Sequence, residues 1–250
     1  MNNRFFCKIP KASIRLSANH KSEKLKEILY GEQFIVKKKV KDYYFGFTEN
    51  DKYQGFIKKN HLTNQTVKAD HIIIHDKTRL FRSNNINSKL KGFLYLNSKV
   101  KVFQKKKLFS NIGKYWIENK NLCPLTRFKN NDFFKNLKTF KKTKYVWGGN
   151  TSDGIDCSGL VQELMKSINQ KCPRDSKDQL KFYKHKVSLK DIKKGDLLFW
   201  RGHVAIAINK NELIHAYGPR KKVVVMKLNK VIQELEKKSL KLLSIKRPKK

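Results

Sequence analysis

Apolar and polar positions alternate in two regimes along this chain. From Ala12 to about Thr66, short β-prone runs sit between polar turns: Phe34-Ile35-Val36, Tyr43-Tyr44-Phe45-Gly46-Phe47 and Gly55-Phe56-Ile57. Ile72 to Phe128 repeats the pattern with Leu80-Phe81, Gly92 to Leu96, Val100 to Phe103 and Tyr115 to Ile117. Runs this short and closely spaced predict two small barrels in tandem. Beyond Asn130 the period changes. Phe133, Phe134, Leu137 and Phe140 fall at helical spacing, and Leu160, Val161, Leu164, Met165 and Ile168 mark a second amphipathic helix. Pro173 makes its continuation past Cys172 unfavourable. Asp196 to Trp200, His203 to Ile208, Glu212 to Ala216 and Val223 to Leu228 then read as consecutive strands, while Val231 to Leu243 stays ambiguous. Helix first and sheet after predicts an α+β domain. The expected modules are residues 1–68, 69–128 and 129–250.

Composition changes this picture little. A hydrophobic fraction of 39% with 16 Phe and 9 Tyr argues for folded cores despite 31% charged residues. The net charge of +38 invites polyanion binding. Its even spread from Lys8 to Lys250, without a basic arm or a nucleic-acid-binding motif, favours a solvated lysine surface, so no specific nucleic acid is expected. No run reaches the roughly 20 apolar residues of a membrane span. The first ten residues hold no apolar stretch like that of an export signal, which predicts a cytoplasmic protein with reduced thiols. Cys7, Cys123, Cys157 and Cys172 lack metal-ligand spacing, and no metal or cofactor is expected.

Candidate chemistry centres on Tyr145 to Gly159. A glycine-rich loop runs into Asp156-Cys157-Ser158-Gly159 at the start of the second helix. Free N–H groups and the helix dipole favour an anion there, so the Cys157 thiol is expected to ionise readily. In the strand at His203, alternation puts His203 on one face with Ala205 and Ala207, and small alanines leave space beside it. A three-residue loop of Asn209, Lys210 and Asn211 would pair Ala205 with His215 and set both histidines on one face, a diagonal step apart. A two-residue loop would separate them. Thiol, base and a polar group that fixes the base's tautomer are the parts of a papain-like site. His20, His61, His71, His75 and His185 have no such context.

These segments, together with Pro173-Arg174-Asp175-Ser176, Gln179 and Gly195-Asp196-Leu197, resemble the NlpC family of bacterial cell-wall cysteine peptidases over roughly residues 130 to 230. The stretch from Leu29 to Glu32 and then Asp51 to Ile57 resembles bacterial SH3-like modules, with Phe56 where Trp is common. The resemblance implies a papain-like cysteine peptidase domain preceded by two small SH3-like β-barrels, acting as a γ-D-glutamyl-L-diamino-acid endopeptidase on peptidoglycan-derived peptides with a free L-Ala. It implies Cys157 as nucleophile, His203 as base and His215 as orienting residue. Tyr145 is then close to the reaction, and Asp156, Ser158, Tyr53 and Glu32 hold the substrate's free amino terminus. Hydrogen-bonding and anionic groups suit that ammonium, which is costly to desolvate unpaired. Two alternatives stand beside this reading: a non-catalytic protein that binds cell-wall fragments, and a basic nucleic-acid-binding protein. Oligomeric state is not encoded in any of these patterns.

Overall fold

The computed structural model describes residues 3–65, 68–128 and 133–248. The expected edges at Thr66 and residue 129 lie outside them. The chain divides into two compact units, Met1–Phe133 with Lys166–Gln170, and Phe134–Met165 with Lys171–Lys250.

In the first unit, strands β1 (Arg4–Cys7), β2 (Lys11–Arg15), β3 (Lys24–Leu29), β4 (Gln33–Val40), β5 (Tyr43–Thr48), β6 (Gln54–Lys58) and β7 (Leu62–Thr63) form one antiparallel sheet in the order β3-β2-β6-β5-β4-β1-β7. The runs read from sequence are β4, β5 and β6; β1 to β3 are additional. Alternation is visible in β2, where Ala12 and Ile14 point inward and join Cys7, Ile28, Phe34, Ile57 and Leu62 in one core. A second core gathers Ile73, Leu80, Leu94, Val100, Ile112 and Ile117. It is enclosed by β8 (His71–Ile73), β9 (Thr78–Phe81), β10 (Leu90–Leu94), β11 (Lys99–Val100), β12 (Gln104–Lys105), β13 (Phe109–Asn111), β14 (Trp116–Glu118) and β15 (Leu122–Pro124). These make a five-stranded and a three-stranded sheet. The run Val100 to Phe103 is therefore not one strand: pairing stops at Val100 and resumes at Gln104.

The second unit is α+β. Helix α1 (Phe133–Thr139) and the short pair β16 (Asn150–Thr151) and β17 (Gly154–Ile155) lead into α2 (Cys157–Lys166). Helix α3 (Ser176–Phe182) follows, then a six-stranded antiparallel sheet in the order β18-β23-β19-β20-β21-β22. Its strands are β18 (Lys186–Val187), β19 (Leu197–Trp200), β20 (His203–Ala207), β21 (Glu212–Tyr217), β22 (Lys222–Lys227) and β23 (Ser244–Lys246), with α4 (Leu228–Glu236) between the last two. Two corrections follow. Asp175 caps α3, a helix that begins at Ser176 and is not expected from the sequence, and the ambiguous stretch Val231 to Leu243 holds most of α4, with the added strand β23 following it. In α4, Leu228, Val231 and Leu235 recur at helical spacing and are buried, while its single lysine, Lys230, is exposed. No helix among the described residues is long and apolar enough to cross a membrane.

Residues on β20 and β21 are almost wholly buried, so a central strand built from small and β-branched side chains suits them. Ala205 and Ala207 pack with Leu213, Val231, Leu235 and Ile245 in one core. The space beside these alanines is therefore filled by helix α4 and its neighbours rather than left open.

Candidate active site

The sheet register sets the two histidines. Ile206 pairs with Ile214 and Ala207 with Leu213, and the Ile208 N–H donates to the Glu212 carbonyl at 3.0 Å, closing a loop of Asn209 to Asn211. Continued by one residue, that register sets His215 opposite Ala205, and His203, two residues before Ala205, lies on the same face. Their rings meet there, His203 Nε2 to His215 Nδ1 at 2.8 Å. The His215 ring stacks on Tyr217 at 4.6 Å and 11°, and Trp200 and Tyr217 flank His203. His215 Nε2 faces the Met226 Sδ at 3.3 Å.

Cys157 is the first residue of α2. Asp156 precedes it and works as a helix cap: its carbonyl accepts the Leu160 N–H at 2.9 Å, and its carboxylate Oδ1 accepts the Gly159 N–H at 2.7 Å. The Cys157 Sγ lies 4.0 Å from the Gly202 carbonyl and is approached by the Val204 N–H. Those two residues bracket His203, so the thiol faces the start of β20. With His203 Nε2 engaged by His215, Nδ1 is the remaining ring nitrogen of His203.

Burial reverses the expected acidity. The Cys157 thiol is pushed up to about 12, first by loss of water and next by the Asp156 charge, against lowering contributions from the Val204 N–H and Arg174. The helix start and its dipole do not overcome a site from which solvent is excluded. The same desolvation drives His203 down to about 4 and His215 to about 3, with His203 adding to the latter. Burial therefore favours a neutral thiol and two neutral imidazoles near pH 7. Tyr145 stands close enough to feel Cys157 and Asp156; burial, then these two groups, raise its phenol.

A buried polar scaffold supports this loop, and most of it escaped sequence reading. Arg174, 2% exposed, grips Asp156 with both arms: Nη1 to Oδ1 at 2.9 Å and Nη2 to Oδ2 at 2.5 Å. It also donates to the Ser158 Oγ at 2.9 Å, to the Asn150 Oδ1 at 3.1 Å and to the Gly149 carbonyl at 3.4 Å. The Gly148 N–H at 2.8 Å and the Ser158 hydroxyl at 3.4 Å also donate to the Asp156 carboxylate. Asp156 and Ser158 are thus already partnered, and a substrate ammonium at Asp156 would share an oxygen with a donor in place. Gln179 joins the Ser158 and Pro173 carbonyls through its Nε2, each at 2.9 Å. Glycine is required at two points. Gly148 has φ +68°, and a Cβ on Gly159 would sit 2.5 Å from the Gly149 carbonyl oxygen. The Arg174 and Asn150 roles could have been sought from the rule that a buried carboxylate needs a buried cation, but no local pattern picks out Arg174 among 58 basic residues.

Tyr53 and Glu32 belong to the first unit. Tyr53 carries the Lys26 ammonium over its ring at 5.6 Å. Glu32 accepts the Leu29 N–H at 2.8 Å and pairs with Lys166 at 2.9 Å, and the nearby cations hold its carboxyl below the usual range despite burial.

A thiol at a helix start beside two adjacent strands that carry paired imidazoles, in an α+β domain, is the layout of the cysteine peptidase class. Residues 142–239 match the model of the NlpC/P60 family, and the chain carries a domain of this peptidase family there. Among curated proteins, the Gamma-D-glutamyl-L-lysine dipeptidyl-peptidase of Bacillus subtilis (strain 168) is 27% identical over 201 residues, 74% of this chain and 67% of that protein. A Probable endopeptidase of Haemophilus influenzae is 39% identical over 82 residues, 30% of this chain, and the match spans half of that protein's length. A crystal structure of an NlpC/P60 family protein from Bacillus cereus covers 98% of this chain and 99% of its own with a TM-score of 0.84, at 17% identity; the two share a fold.

Proposed function

We propose that this protein is a cysteine peptidase that hydrolyses the γ-D-glutamyl–diamino acid bond of peptidoglycan stem peptides bearing a free L-Ala, in murein recycling or turnover. The observation that carries the reading is the buried thiol bracketed by Gly202 and Val204 beside the hydrogen-bonded pair His203 and His215. The family domain and the name of the Bacillus subtilis relative support the bond type. The two small β units upstream read as SH3-like barrels.

The geometry suggests the following steps. Because burial favours the neutral thiol and imidazole, the proton moves from Sγ to His203 Nδ1 as Sγ attacks the γ-glutamyl carbonyl carbon. The carbonyl π pair becomes an oxyanion, which the backbone N–H groups of the first α2 residues receive. His215 accepts from His203 Nε2–H and steadies the imidazolium. As the intermediate collapses, His203 returns its proton to the departing amine and the C–N bond breaks, leaving a thioester on Cys157. His203 then takes a proton from water as the hydroxide adds to the thioester carbon, the C–S bond breaks, and His203 returns that proton to Sγ as the shortened peptide leaves with its new carboxyl group. Buried hydrogen bonds from Arg174 and Gln179 to Asp156 and Ser158, the two neighbours of Cys157, brace the segment that carries the thiol, so little rearrangement is needed in attack.

The test is mass spectrometry of products from free tri- and tetrapeptides and from intact sacculi. Release of Ala-γ-Glu from the free peptides supports the proposal. Cleavage of sacculi alone removes the recycling part of it, and binding of fragments without any cleavage favours the non-catalytic alternative.

A further inference from the structure

We propose that Met226 is a positioning residue for the His203–His215 pair: its thioether selects the tautomer of His215 and thereby leaves His203 Nδ1 unprotonated, ready to take the Cys157 proton. The proposal deepens the cysteine-peptidase reading and rests on it for its link to catalysis.

Each neutral imidazole carries one N–H, and the pair shares a single proton between His203 Nε2 and His215 Nδ1. Two arrangements satisfy that contact. In one, His203 Nε2–H donates to His215 Nδ1, so His215 carries its hydrogen on Nε2 and His203 presents a lone pair at Nδ1. In the other, His215 Nδ1–H donates to His203, which then carries its hydrogen on Nδ1 and cannot act as a base toward the thiol. What lies beyond His215 Nε2 decides between them. The Met226 Sδ is 3.3 Å away, and a thioether accepts a hydrogen bond but never donates one. The first arrangement gives an N–H···S contact. The second turns a nitrogen lone pair on a sulfur lone pair.

His215 is 0% exposed, so bulk water does not reach Nε2, and among the described residues Met226 is its one hydrogen-bond partner. The sheet places the sulfur there: His215 pairs with Val224 across β21 and β22, and Met226 lies one diagonal step along the same face. Stacking on Tyr217 fixes the plane of the ring. Burial keeps both rings neutral, as the tautomer choice requires.

The experiment uses the full chain labelled with 15N-histidine, whose long-range 1H–15N spectrum reports which ring nitrogen is protonated without any turnover. In the wild type the account expects Nε2–H on both His203 and His215; Nδ1–H on either ring overturns it, even if no variant folds. Met226→Leu keeps the apolar volume and removes the acceptor, and Met226→Gln restores one through its amide oxygen. With folding checked by circular dichroism, Met226→Leu should mix the tautomers and lower kcat about three- to tenfold at unchanged KM, the scale of one modest hydrogen bond. Met226→Gln should recover both. Unchanged tautomers in Met226→Leu, or equal losses in the two variants, contradict the proposal. Expected tautomers in an enzyme whose Cys157→Ala variant still hydrolyses peptide would overturn the nucleophile reading and leave the tautomer selection standing.

Discussion

Breaking the Arg174–Asp156 pair should destabilise the peptidase-family domain sharply, and restoring neutrality should recover most of the loss. Both side chains are almost fully buried, 1% and 7% exposed, with a bidentate contact at 2.9 and 2.5 Å. Arg174→Met keeps the stem of the side chain and removes the charge. It strips two donors from Asp156 and one each from Ser158, Asn150 and Gly149. A buried ion left without its partner costs about 3–5 kcal/mol. Asp156→Asn leaves the guanidinium stranded at a comparable cost. In the double variant, charge balance returns while some hydrogen bonds stay unmade, so its loss should be about 2 kcal/mol smaller than the sum of the singles. Urea denaturation followed by tryptophan fluorescence measures all four proteins, the domain carrying Trp147 and Trp200. A loss below about 1 kcal/mol in Arg174→Met, or singles that simply add, would refute the view that this pair holds the loop.

Three further outcomes follow from the same geometry. Gly159→Ala drives a methyl group to 2.5 Å from the Gly149 carbonyl oxygen, so about 1–3 kcal/mol of stability should be lost, read in the same denaturation experiment. His203, lowered to about 4 by burial, stays neutral through the range where an ordinary imidazole titrates near 6.5. The base is lost only when protonated, so kcat/KM should hold as pH falls past 6.5 and decline toward 4; a decline centred at 6.5 would contradict the burial argument. His215→Ala should lower kcat about 10²- to 10⁴-fold with little change in KM, measured by steady-state peptide hydrolysis, because the base loses its orientation.

Much of the second unit was legible because its signals are local. The apolar residues at Leu160, Val161 and Leu164 follow a period of 3.6 and the alternation from His203 to Ile208 a period of 2, while the glycines before Cys157 mark a local turn. Even the shared face of His203 and His215 follows from loop parity. What stayed hidden depends on contacts distant in sequence. Arg174 reaches Asp156 from 18 residues away, and Met226 approaches His215 across a strand pair. The Cys157 thiol shows the limit most clearly: a helix start argues for easy ionisation, and only the packed structure reveals that exclusion of water dominates. Strand β23 and helix α3 were missed for a related reason. Three residues, Ser244 to Lys246, carry too short a pattern to announce a strand, and they pair only because β18 and β19 flank them.

The central claim is that Cys157 supplies the nucleophile for γ-glutamyl cleavage. It is tested most directly by incubating Ala-γ-Glu-diaminopimelate with the wild type and with Cys157→Ala, each shown folded by circular dichroism, and following products by mass spectrometry. The account predicts Ala-γ-Glu and free diaminopimelate from the wild type and none from the variant. Equal turnover by Cys157→Ala would contradict it.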